Sequence, residues 1–110
     1  MQIVKLINFS ELQLMTNTIA SMNGSGKKRY EIYLSKDVQL KKWTVLLKVL
    51  IDDAVVDEML VTQMRSNNPK TFNVLEDCLN QITASCVGLG VSGRLKLNLN
   101  LNETVWELKL

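Results

Sequence analysis

Histidine is absent from this chain, and the absence excludes more chemistry than any motif in it suggests. No Ser-His-Asp or Cys-His arrangement can be assembled, and the side chain that most often moves protons near neutral pH is missing. Zinc sites of Cys and His spacing are excluded too, because neither Cys78 nor Cys86 has a partner at metal-ligand spacing. These two thiols fall on one predicted helix, eight residues apart. At ~1.5 Å of rise per residue the separation is about 12 Å, too far for a disulfide. They read as inert thiols in or beside the core. Long apolar runs are lacking as well: none approaches the ~18 residues of a membrane span. The start, Met1-Gln2-Ile3-Val4-Lys5, has no basic-then-apolar signal pattern. The expected location is therefore the cytoplasm, and the sequons at Asn8, Asn23 and Asn102 are read as chance.

What is present is the composition of an ordinary folded domain, with 46% hydrophobic and 22% charged residues in 110. That length supports one core, so residues 1–110 are expected to form a single domain. Trp43 to Gly88 is its best-marked stretch. Trp43, Val45, Leu47, Val49 and Ile51 alternate with Thr44, Leu46, Lys48 and Leu50, and the β-branched content favours a strand. Asp52-Asp53 is turn material, and Val55 to Arg65 reads as a returning strand, which makes the pair a hairpin. A helical reading competes. Trp43, Leu46, Leu47, Leu50, Ile51, Ala54 and Val55 also sit at helical spacing, with Asp37 as a cap. After the loop Ser66-Asn67-Asn68-Pro69, Asn73 and Glu76 have the spacing of a capping box. Val74, Leu75, Cys78, Leu79 and Ile82 then form the inner stripe of a helix of about three turns, stopped by Gly88.

Elsewhere, Ile3 to Ile7 suggests a short strand. Asn8 and Glu11 again have capping-box spacing, with Ser10 as a competing cap, ahead of a helix whose stripe is Leu12, Met15, Ile19 and Met22. Tyr30, Ile32 and Leu34 are the inward side of a strand. Leu95, Leu97, Leu99 and Leu101 alternate with polar residues, and a last strand puts Thr104, Trp106, Leu108 and Leu110 on one face. The expected class is α+β, a mainly antiparallel sheet with two helices packed on one face, in the order β-α-β-β-β-α-β-β. Ala20 to Gly26 and Ala84 to Gly90 share Ala-Ser and G-x-G, which suggests two related α-then-β halves. Leu46, Leu50 and Trp106 are expected to leave apolar area on the open face, suited to self-association as a homo-oligomer.

Gly88-Leu89-Gly90-Val91-Ser92-Gly93 spells G-x-G-x-x-G, but a helix precedes it and a strand follows, the reverse of a dinucleotide fingerprint. Asp52, Asp53, Asp57 and Glu58 lack metal-loop spacing and read as a solvated turn. No cofactor and no metal are expected. Charge is the stronger signal. From Lys27 to Lys48 seven cations face only Glu31 and Asp37, whereas Asp52 to Asp77 is net acidic. Lys27, Lys28, Arg29, Tyr33, Lys41 and Lys42 are the candidate nucleic-acid-binding residues, the cations for phosphate and Tyr33 for a base. The plainer reading of the same charges is a solvated basic loop and edge-strand lysines that discourage aggregation.

Thr62-Gln63-Met64-Arg65, followed by Lys70-Thr71-Phe72-Asn73-Val74-Leu75-Glu76-Asp77-Cys78-Leu79, resembles small plasmid-encoded, partition-associated accessory proteins. In that family a strand ends in a T-Q-x-R-like stretch. A short loop, a basic residue, Phe, a capped helix, a Gly and a further strand follow. The likeness covers roughly residues 43–100. The chain departs from it at Met64, at the Asn73 cap and in an extra C-terminal strand. The resemblance implies a non-catalytic role near plasmid or mobile-element DNA and carries over no catalytic residue. The sequence thus leads to a non-enzymatic, self-associating protein working on or beside nucleic acid. The alternative is a protein–protein adaptor or inhibitor docking through the open sheet face or an edge.

Overall fold

A computed structural model describes residues 5–22, 28–37, 41–98 and 105–108. Along the chain these form β1 (Lys5–Ile7), α1 (Phe9–Ser21), β2 (Lys28–Asp37), β3 (Lys42–Ile51), β4 (Ala54–Val61), α2 (Leu75–Ser85), β5 (Gly93–Asn98) and β6 (Val105–Leu108). The class is α+β and the element order is the expected one. Ile3, Val4, Lys27, Leu99, Leu101, Thr104 and Leu110, and most of the Ala20–Gly26 stretch, lie outside the described residues.

Residues 42–61 are a hairpin and not a helix. Trp43, Val45, Leu47 and Val49 are buried while the residues between them are only half-buried, a period of two that a helix cannot produce. Asp52 and Asp53 both have positive φ, 52° and 67°, as a two-residue turn matching strand twist requires. The returning strand is shorter than expected and ends at Val61. Thr62 bridges Pro69, and Trp43 exchanges both backbone hydrogen bonds with Phe72, at 2.7 and 2.9 Å. The segment around Phe72 therefore takes the place beside the start of β3 that a longer β4 would fill.

The six strands run in the order β1-β4-β3-β2-β5-β6. β1 pairs with β4 and β2 with β5 in parallel, and the other three pairings are antiparallel. The sheet is thus mixed rather than uniformly antiparallel. The reason lies in the helices. Each follows one strand and leads back into another pointing the same way, as a crossover connection must. Both crossovers, β1-α1-β2 and β4-α2-β5, step in the same direction across the sheet. Leu12 and Ile19 of α1 and Cys78 and Ile82 of α2 share one core with Ile7, Tyr30, Ile32, Leu34, Val45, Leu47, Val61 and Leu95.

Local signals decide one helix start and not the other. Asn8 caps α1, accepting from the Glu11 amide at 2.9 Å, while Glu11 accepts from the Asn8 amide at 3.2 Å. In α2 the expected Asn73 box does not form. Val74 is the N-cap, with no side-chain hydrogen bond, and is 51% exposed rather than part of the inner stripe. Phe72 is pinned to Trp43, so the helix begins one residue later than its local signal. Met22, expected in the stripe of α1, is exposed at its C-terminus, and Thr16 takes a buried place instead. Thr16 satisfies its hydroxyl on the Leu12 carbonyl at 2.9 Å.

The suggested duplication does not extend into the strands. β2 and β5 are neighbours, but Tyr30 pairs with Gly93 and Ile32 with Leu95, an offset of 63, whereas the similar segments are offset by 64. A one-residue difference would match inward residues with outward ones. Trp106 likewise lies in register with Leu97, in the row of Leu34 and not that of Leu46.

Candidate nucleic-acid interface

The sheet has two dissimilar ends. At one, the Asp52-Asp53 turn and the start of β2 lie together. At the other, β1 runs into α1 and β4 leads towards α2. Lys28 pairs with Ile51 and Arg29 with Leu50, at the turn end, whereas Lys42 pairs with Asp37 at the helix-entry end. Nine positions of strand at ~3.3 Å each separate Lys28 from that end by roughly 30 Å. The cations expected to line one rim are therefore divided between opposite ends. Arg29, Tyr33, Lys41 and Lys42 do not form a continuous surface.

Arg29 lies with Asp53, Arg94, Lys96, Glu31 and Glu107 around a polar cleft of about 170 Å³, where carboxylates match cations. Lys28 instead borders an apolar cleft of about 380 Å³ between α1 and the β1–β4 edge, with Leu6, Leu14, Met15 and Met59. Tyr33 sits in the middle of the open row and is already engaged. Its hydroxyl donates to Glu31 Oε1 at 3.1 Å. Lys48 Nζ is 4.3 Å and Lys96 Nζ 5.6 Å from its ring centroid. Burial, and then the adjacent Glu31 carboxylate, raise its pKa. A ring held in this way between two cations is not offered to a base. The same Glu31 carboxylate accepts from Lys96 at 2.7 Å and raises the pKa of that ammonium.

The helix-entry end is different. Lys36 Nζ lies 5.8 Å from the Trp43 ring centroid, and Lys70 Nζ lies 5.3 Å from that of Phe72. The Trp43–Phe72 bridge holds these two positions beside each other. Phe9, from the first turn of α1, meets Phe72 edge-on at 6.3 Å and 84°, which ties α1 to the same spot. Lys41, at φ 55°, and Lys42 are exposed at the same end, Lys42 on the opposite face of the sheet from Trp43 and Lys36. Lys5, Lys48, Arg94 and Lys96 in the body of the sheet are each ion-paired. Lys41, Lys42 and Lys70 form no ion pair with a described side chain. Both helices also begin at this end, where Glu11 on α1 and Glu76 and Asp77 on α2 already meet the helix dipoles with negative charge.

Lys70 is not among the candidates that the sequence offers. Its only signal is tertiary, since 28 positions separate it from Lys42 and the Trp43–Phe72 pairing closes that loop. Lys36 is visible in the charge tally, but nothing in the local pattern distinguishes it from its neighbours. The arrangement can bind anions electrostatically. Asp52 and Asp53 are exposed at the far turn, Asp57 pairs with Lys5 and Glu58 with Lys48. Among the described residues no three Cys, Asp or Glu side chains gather as a metal site. Nor is any helix among them long and apolar enough to cross a membrane. The G-x-G-x-x-G run follows α2 and precedes β5, with Gly88 and Gly90 at positive φ of 81° and 90°, so its glycines serve a turn. No family model, no curated protein and no solved structure matches the chain.

Proposed function

We propose that this chain is a non-catalytic module that binds the phosphate backbone of nucleic acid at the helix-entry end of its sheet. The observation behind this reading is that Lys36, Lys41, Lys42 and Lys70 lie at one end of the sheet, Lys36 and Lys70 over the bridged Trp43 and Phe72, and that Lys41, Lys42 and Lys70 lack ion-pair partners among the described side chains. Lysines on flexible stems suit phosphate as point charges and impose no base preference. Tyr33 and Arg29 are left out of the contact surface, which narrows the sequence candidates to Lys41 and Lys42 and adds Lys36 and Lys70. The resemblance of residues 62–79 to partition-associated proteins supports placing this binding in plasmid or mobile-element maintenance.

The test is a mobility shift with single- and double-stranded DNA across a salt series. Four phosphate contacts give a slope of roughly −3 to −4 in log K against log salt on duplex. A Lys41→Glu/Lys42→Glu/Lys70→Glu variant is expected to lose the shift, and Lys28→Glu/Arg29→Glu to keep it. Absence of any shift at low salt rejects the reading and favours a protein partner on the open sheet face.

A further inference from the structure

The face of the sheet away from the core carries an ordered pattern of charge. Across β4, β3, β2 and β5 one row reads Glu58, Lys48, Glu31, Arg94, each the registered partner of the next. Its signs alternate, negative, positive, negative, positive. The adjacent row reads Leu60, Leu46, Tyr33, Lys96 and, on β6, Glu107. An alternating row with an even number of members is antisymmetric about its midpoint. Turned end for end, it meets itself with opposite signs everywhere.

We propose that this face is the contact between two copies of the chain, packed sheet against sheet about a two-fold axis that runs parallel to the strands between β2 and β3. Rotation about that axis reverses the row. Glu58 then faces the partner's Arg94, and Lys48 faces the partner's Glu31. At the centre of the next row Leu46 meets the partner's Tyr33. Such an interface is isologous, each contact occurring twice, and aligned packing of two sheets is one of the favoured geometries.

Burying charge normally opposes association, but at the central contacts much of the dehydration has already happened on folding, while Glu58 and Arg94 at the flanks are 39% and 53% exposed. The side chain of Glu31 is 13% exposed, and those of Lys48 and Lys96 are each 24% exposed. Lys96 and Lys48 are held by Glu31 and Glu58 within the chain, at 2.7 and 3.9 Å, so no isolated charge enters the contact. The footprint, four strands about 4.8 Å apart over about 20 Å of strand, is on the order of 400 Å² per copy. That is the small end of specific interfaces and gives a weak, concentration-dependent dimer. The axis also keeps both helix-entry ends pointing the same way, setting two lysine groups side by side. The dimer itself does not depend on the nucleic-acid reading.

The test uses sedimentation velocity from micromolar to millimolar chain, with no nucleic acid present. The wild type is expected to shift from monomer to dimer over that range. Lys48→Glu alone places a carboxylate opposite the partner's Glu31, and Glu31→Lys alone places an ammonium opposite the partner's Lys48. Each variant, repelling its own copy at both central contacts, is expected to stay monomeric. Mixed in equal amounts, the two variants oppose unlike charges at both contacts and are expected to form a heterodimer. Circular dichroism of each variant confirms that it is folded, and recovery on mixing cannot come from misfolded chains. A wild type that is monomeric throughout, single variants that dimerise as well as it does, or a mixture that stays monomeric each overturns the proposal.

Discussion

The ring of Tyr30 lies across Gly93, its registered partner on the neighbouring parallel strand, so closely that a Cβ on Gly93 would fall inside it. The phenol then reaches past β5 to donate to the Val87 carbonyl at 2.6 Å. One side chain thus fastens β2 to the turn leaving α2. Glycine is required at position 93 for space.

Gly93→Ala is therefore expected to destabilise the fold by about 1–3 kcal/mol, the usual cost of overpacking a core. Tyr30→Phe, which keeps the ring and removes the donor, should cost about 1 kcal/mol. Urea unfolding measures both. In a Tyr30→Leu background the Gly93→Ala penalty should shrink, because the obstructing ring is gone.

The Asp52-Asp53 turn holds two aspartates at positive φ, where asparagine and glycine are more comfortable. Asp52→Asn/Asp53→Gly relieves left-handed strain by more than the added freedom of an unfolded glycine costs, and is expected to stabilise the protein by about 0.5–1 kcal/mol, read as a higher urea midpoint at unchanged slope.

The two helix starts make opposite predictions. Asn8→Ala removes the side-chain acceptor of a working capping box and should cost about 1 kcal/mol. Val74→Ser supplies the cap that α2 lacks, at an exposed position, and should gain about 0.5–1 kcal/mol. Equilibrium denaturation of the two variants checks this pair.

Alkaline pH should destabilise the fold in a defined window. Burial pushes the Cys78 and Cys86 thiols from 9.0 up to about 12. Between those values the unfolded chain has released protons that the folded chain retains, so stability falls as pH rises. Burial raises the Tyr30 phenol in the same direction. Stability measured from pH 8 to pH 11 is expected to decline above about 9, and less steeply in Cys78→Ala/Cys86→Ala. Both thiols should also resist alkylation until the protein unfolds, since both are buried.

Much of this structure was legible in local chemistry. Alternation in residues 43–51 marked a strand with its inner face, Asn8 and Glu11 marked a helix start, and the order of eight elements followed from such signals. Backbone sterics, side-chain period and capping act over a few residues, so a few residues reveal them. The absence of histidine closed off whole classes of catalysis for a related reason: composition needs no fold.

What only the tertiary structure decided is which distant residues become neighbours. Pairing β2 with β5 made the sheet mixed and brought Gly93 against Tyr30. The Trp43–Phe72 bridge displaced the α2 cap from Asn73 and brought Lys70 to the end of the sheet that carries Lys36, Lys41 and Lys42. Lys28 and Lys42, close in a linear charge count, went to opposite ends because a strand is extended and carries its ends far apart. Charge along a chain is additive and visible, but the surface it forms is set by long-range pairing that no local window contains.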